Sequence, residues 1–227
     1  MHLFTIETTL PQIITAIGGL GTAAFGLVDA SKAFAGSVNR IGFKGIKTAV
    51  TALTPARASG GLLQQNIIAT LRANWFNGVD LASQKAIAKS LIKLNLDATN
   101  AAQVAAAAGV DADKLTTVAT KIAAGTSLLP DESDFLGRFD LIVIASLDQA
   151  YQHADEVFRN RTRAWAMLVA ILLAFGAACA ACNGFKIGWQ NASEALLAGL
   201  LATPLAPIAK DLSTALATAV KTLQLKK

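Results

Sequence analysis

Arg159-Asn160-Arg161-Thr162-Arg163 leads into Ala164-Trp165-Ala166-Met167-Leu168-Val169-Ala170-Ile171-Leu172-Leu173-Ala174-Phe175-Gly176-Ala177-Ala178-Cys179-Ala180-Ala181, a run without one charged side chain. As an α-helix rising about 1.5 Å per residue, such a run crosses the roughly 30 Å hydrocarbon core of a bilayer. Arginines at its start and an indole just inside it are what a membrane interface selects. The fold is therefore expected to be all-α and integral to a membrane, with about three transmembrane helices and a small helical cytoplasmic domain.

Composition agrees. Hydrophobic residues make up 53% of the 227 and charged residues 15%, against roughly 25% charged in an average soluble domain. Mean hydropathy is +0.47. The net charge of +5 does not point to nucleic acid, because the cations form no dense stripe interleaved with aromatics. They flank the apolar segments: Lys32, Arg40, Lys44, Lys47 and Arg57 after the first, Arg159–Arg163 before the second, Lys210, Lys221, Lys226 and Lys227 after the third. By the positive-inside rule the N-terminus is expected outside and the C-terminus in the cytoplasm.

Upstream, residues 1–35 hold the first expected span, Pro11–Phe34, with Asp29 and Lys32 near its inner interface. Met1–Leu10 lacks the basic start of a signal peptide, so this span is expected to be retained. Residues 36–61 are rich in Gly, Ser, Thr and Lys, with Ile41, Phe43, Ile46, Val50 and Leu53 among them, and are expected to lie along the membrane surface. From residue 62 to 130 the spacing predicts short soluble helices: Leu63, Ile67, Ile68, Leu71 and Trp75 on one, and Leu81, Ile87, Leu91 and Leu94 on the next, with Lys85, Lys89 and Lys93 on its solvated side. Two more follow over Asn100–Ala108 and Asp113–Ala124, with Asp97 or Thr99 and Asp111 as expected N-caps and Gly109 and Gly125 as stops.

Pro130-Asp131-Glu132-Ser133 interrupts that pattern. Beyond it, Phe139, Val143, Leu147, Tyr151 and Phe158 mark one face of a long helix over 135–183 that continues into the second span. Asn183-Gly184 is expected to end that span, before a loop over Phe185–Ser193. The third membrane segment, 194–227, is expected to be broken or kinked at Pro204 and Pro207 and to finish as an amphipathic helix carrying Leu212, Leu216, Val220 and Leu223. Lys210 and Asp211 form a candidate intramembrane polar pair. Either the helix simply emerges there with Lys210 at the interface, or the pair lines an inner cavity.

Catalytic chemistry is not predicted. A nucleophile needs a partner base, and His2 and His153 are the only histidines; His153 falls on a charged helix side. Cys179 and Cys182 stand in an apolar run without the convergent ligands of a metal site. Gly19-Leu20-Gly21-Thr22-Ala23-Ala24 fits a dinucleotide fingerprint in form only, since no strand precedes it and no acidic residue follows at the required distance. No catalytic residue, metal or cofactor is expected. The glycines read better as packing residues: Gly18, Thr22, Gly26 and Ala30 recur every fourth position, as do Ala170, Ala174 and Ala178, and such small residues let helices approach closely in a bilayer.

Asp155-Glu156-Val157-Phe158-Arg159-Asn160-Arg161-Thr162-Arg163, entering a span, resembles the juxtamembrane segment of uncharacterised bacterial inner-membrane proteins with a D-R-V-S-G-W-Y-K-R-R type motif. Leu200–Leu212, with Pro204, Pro207 and Asp211, resembles their kinked last segment. The likeness covers the last third of the chain and lacks the Ser-Gly-Trp-Tyr core. It implies a bacterial inner membrane and no particular activity.

The expectation is a non-enzymatic, multi-pass membrane protein that contacts lipid and associates with itself as a scaffold or pore. The alternative is a membrane-anchored module that recruits a cytoplasmic protein through its 62–130 helices.

Overall fold

The computed structural model describes residues 10–31, 38–55, 62–181 and 188–224, with side chains from 12 to 209 apart from 39. Lys32, Arg57, Cys182, the stop at Asn183-Gly184 and the side chains of Lys210, Asp211 and the residues after them lie outside the described residues. Every regular element described is helical: α1 (Leu10–Ala30), α2 (Phe43–Leu53), α3 (Gln64–Phe76), α4 (Leu81–Asn95), α5 (Ala101–Ala108), α6 (Ala112–Ala123), α7 (Pro130–Ala181) and α8 (Trp189–Gln224), with a short 3-10 turn at Val38–Arg40. The chain forms two compact units, one from residues 39–158 and one from 1–38 with 159–227. The 52-residue α7 contributes to both.

The 39–158 unit is a helical domain with one apolar core. α2 supplies Phe43, Ile46, Val50 and Leu53, α3 Ile67 and Leu71, α4 Ala88 and Ile92, and α7 Phe139, Val143, Leu147, Tyr151 and Ala154. Full burial of each large side chain is worth about 1.5–3 kcal/mol. This differs from the membrane-surface role expected of residues 36–61. Positions 43, 46, 50 and 53 are spaced three, four and three apart, which places them on one helical stripe, and that stripe closes the domain core rather than meeting headgroups.

Local chemistry sets the helix ends. Asp80 accepts from Ser83 N and Asp111 from Lys114 N, each satisfying an orphan donor in a first turn. Before α5, Asp97 Oδ1 accepts from the N–H groups of Thr99 and Asn100, and Gly109 closes that helix at φ 67°, a left-handed cap that glycine adopts without strain. Pro130 opens α7 rather than breaking it, because a first-turn residue needs no intrahelical donor. The Glu132 carboxylate reaches back to accept from Leu129 N at 2.8 Å, half of a capping box.

In the other unit, α1, the later part of α7 and the first part of α8 are each long and apolar enough to cross a membrane. α8 starts at Trp189, inside the expected loop, so that Trp189–Ala209 gives 21 residues of membrane length. It also stays helical through Pro204 and Pro207, so the chain does not break there. The prolines remove the N–H groups that would bond the Leu200 and Thr203 carbonyls. Close contact with α1 holds the segment in place nonetheless.

Candidate functional site

That contact is made backbone to backbone. A Cβ on Gly18 would collide with Ala209 Cβ and stand 3.0 Å from the Leu205 carbonyl oxygen. One on Gly21 would collide with the Ala202 carbonyl. Ala24 packs with Ala170 and Ala202 at a small apolar centre, and Gly199 lies against the backbone of Ile171, whose Cα would be 2.5 Å from an added Cβ. Without a hydrophobic drive between helices in lipid, such close small-residue packing is the main source of association.

The residues singled out from sequence divide. Gly18, Ala170 and Ala174 are buried in this bundle. Thr22, Gly26 and Ala30 are exposed, and nothing stands within 4 Å of an added Cβ at Gly26. The seam of α1 runs instead through Gly18, Gly21, Ala24 and Val28, which are all buried. Every-fourth-residue spacing drifts by about 40° per step on a helix of 3.6 residues per turn, so a stripe that begins in the seam leaves it. The Thr22 hydroxyl is satisfied locally, donating to Gly18 O at 3.0 Å.

Two clefts open beside the bundle. One, of about 540 Å³, is bordered by Ala174, Ala178, Ala195 and Ala198, with Asn191 and Glu194 as its polar members. The second, of about 640 Å³, brings Phe25 of α1 together with Arg163 and Met167 of α7 and Thr203, Pro204 and Pro207 of α8. The Thr203 hydroxyl is buried and meets no partner among the described residues.

On the helical domain the expected solvated lysine face of α4 is a ladder of ion pairs to α7. Lys85 meets Asp148 at 2.5 Å, Lys89 meets Asp140 at 2.6 Å and Lys93 meets Asp140 at 3.2 Å. For Asp140, partial burial works against ionisation, but the two lysines outweigh it and hold the carboxyl below its usual range. Lys121 and Leu129 N together hold Glu132 low in the same way. The sequence showed the lysine spacing but not the partners. His153 is exposed, 4.0 Å from Glu156. Cys179 is half-buried and free.

The fold thus defines a class: a helical protein with, among the described residues, three helices long and apolar enough to cross a membrane, joined to a compact helical domain. No family model, curated protein or solved structure matches the chain.

Proposed function

We propose that this chain is a non-enzymatic, self-associating membrane protein, a scaffold or pore of a bacterial inner membrane, which carries its helical domain on the cytoplasmic side. One observation supports self-association: the Thr22, Gly26 and Ala30 face of α1 is exposed among the described residues. It is the kind of surface over which a second backbone approaches closely in lipid. The N-terminus lies outside and the C-terminus inside, as the basic flanks direct.

The test is the mass of the detergent-solubilised protein. Several protomers are expected, falling toward one in Gly26→Leu; an unchanged mass in that variant would remove the α1 face from the assembly. Labelling of a cysteine placed near Lys89 in intact cells decides orientation, and reaction from outside would reverse it.

A second reading has an observation of its own. Leu94 on α4 and Ile122 on α6, both within the 62–130 helices, are 65% and 51% exposed, and apolar surface of that kind marks contact sites when it is contiguous. A wild-type monomer in detergent would favour a membrane-anchored module that recruits a cytoplasmic protein through such residues.

A further inference from the structure

We propose that the cleft at Arg163 seats an anionic phospholipid, with one acyl chain along the helices and the phosphate on the guanidinium. Arg163 is the last charged residue before the uncharged run of α7, where lipid phosphates meet a membrane helix. It lines the same cleft as Phe25, Ala164, Met167, Pro204 and Pro207. A cation beside a concave apolar wall matches an amphiphile with an anionic head. Basic pockets between membrane helices are where anionic headgroups bind, and the planar guanidinium suits phosphate oxygens in bidentate fashion.

Thr203, Pro204 and Pro207 make up the α8 side of the cleft, a wall of modest polarity against which an acyl chain and its ester linkage can lie. The cleft, about 640 Å³, lies in the range of small-ligand sites, about 300–1,000 Å³.

Diffuse attraction of Arg159, Arg161 and Arg163 to an anionic surface would need no cleft, and the variants separate the two. Arg161 is two positions from Arg163, roughly 200° around the helix, and does not line the cleft. The inference rests on the membrane reading and is independent of self-association.

The experiment uses the full chain in a neutral detergent. Native mass spectrometry follows retention of added phosphatidylglycerol against phosphatidylcholine of the same chains. Phosphatidylglycerol should be retained preferentially. Arg163→Gln should weaken that retention by roughly tenfold, while Arg161→Gln keeps it. Met167→Trp, which fills the cleft without touching charge, should also lose it. Inorganic phosphate should not displace the lipid. Equal loss in the two arginine variants, full retention in Met167→Trp, or displacement by phosphate would each overturn the assignment. Release of the chain from membranes by alkaline carbonate would overturn the membrane reading and this site with it; a chain that stays membrane-bound but retains both lipids equally overturns the site alone.

Discussion

Lys89 Nζ on α4 stands 2.6 Å from Asp140 Oδ2 on α7, and Lys93 Nζ 3.2 Å from the other oxygen of the same carboxylate. One acid thus ties two turns of α4 to the long helix.

Asp140→Asn should therefore lower the stability of the detergent-solubilised protein at neutral pH. The loss should be about 1 kcal/mol, because water reaches the group and screens it. The pH dependence has a definite sign. A carboxyl held below its usual value of 3.8 stabilises the fold at higher pH, and that contribution disappears as pH falls through its lowered value. Thermal melts between neutrality and pH about 3 should show a steeper loss for wild type than for Asp140→Asn. Parallel curves would mean that the pair carries no linkage.

Tyr151 is the only tyrosine, 1% exposed, with a hydroxyl that meets no partner among the described residues. Burial pushes its phenol up to about 12. A raised value in the folded state means stability is full below the usual value of 10.0 and declines as pH rises from there toward about 12. Titration of phenolate absorbance in the folded protein should show one transition near that upper value, and a midpoint at the ordinary value would contradict the burial. Tyr151→Phe removes an unsatisfied group while keeping the ring. Its stability should fall within about 1 kcal/mol of wild type or above it.

Gly42 turns the chain into α2 at φ 89°. An added Cβ would collide with the Ala154 carbonyl and stand 3.0 Å from Trp75, whose ring packs edge-on against Phe158 at 6.0 Å. The left-handed backbone alone costs a non-glycine residue about 1–2 kcal/mol, and the contact adds to it. Gly42→Ala should lower the melting temperature clearly, whereas Gly45→Ala, with nothing within 4 Å of its Cβ, should leave it unchanged or raise it. A tolerated Gly42→Ala would place the turn elsewhere.

Much of this was legible in residue spacing. Phe139, Val143, Leu147 and Tyr151 fall at helical intervals, and all four are buried. The uncharged run after Arg163 marked a membrane-length helix. α2 was harder, because Ile41 breaks the stripe formed by Phe43, Ile46, Val50 and Leu53, and glycines and lysines around it resemble a surface segment. The partner of Lys85 lies 63 positions away, a distance at which periodicity carries no information about pairing. On α1 the composition announced close packing but not its direction, since a stripe at every fourth position and a seam three and four residues apart share Gly18 and then diverge.

That divergence makes the two faces of α1 separable by experiment. Gly21 lies in the seam, where a Cβ would collide with the Ala202 carbonyl and stand 3.1 Å from Ala206 Cβ. The obstacle is backbone, so a larger side chain cannot be accommodated by a rotamer change; α1 and α8 must move apart, and the contacts around Ala24 and Ala170 are lost with them. Gly21→Leu should therefore cost the chain itself about 2–4 kcal/mol or prevent it from folding, seen as a lowered melting temperature in detergent whatever its oligomeric mass. Gly26 faces open space within one chain, so Gly26→Leu should leave the protomer's helicity and its unfolding in denaturing detergent unchanged, while lowering the oligomeric mass that the self-association proposed above requires. If Gly26→Leu instead damages the protomer fold and Gly21→Leu does not, the seam between α1 and α8 has been assigned to the wrong side of α1.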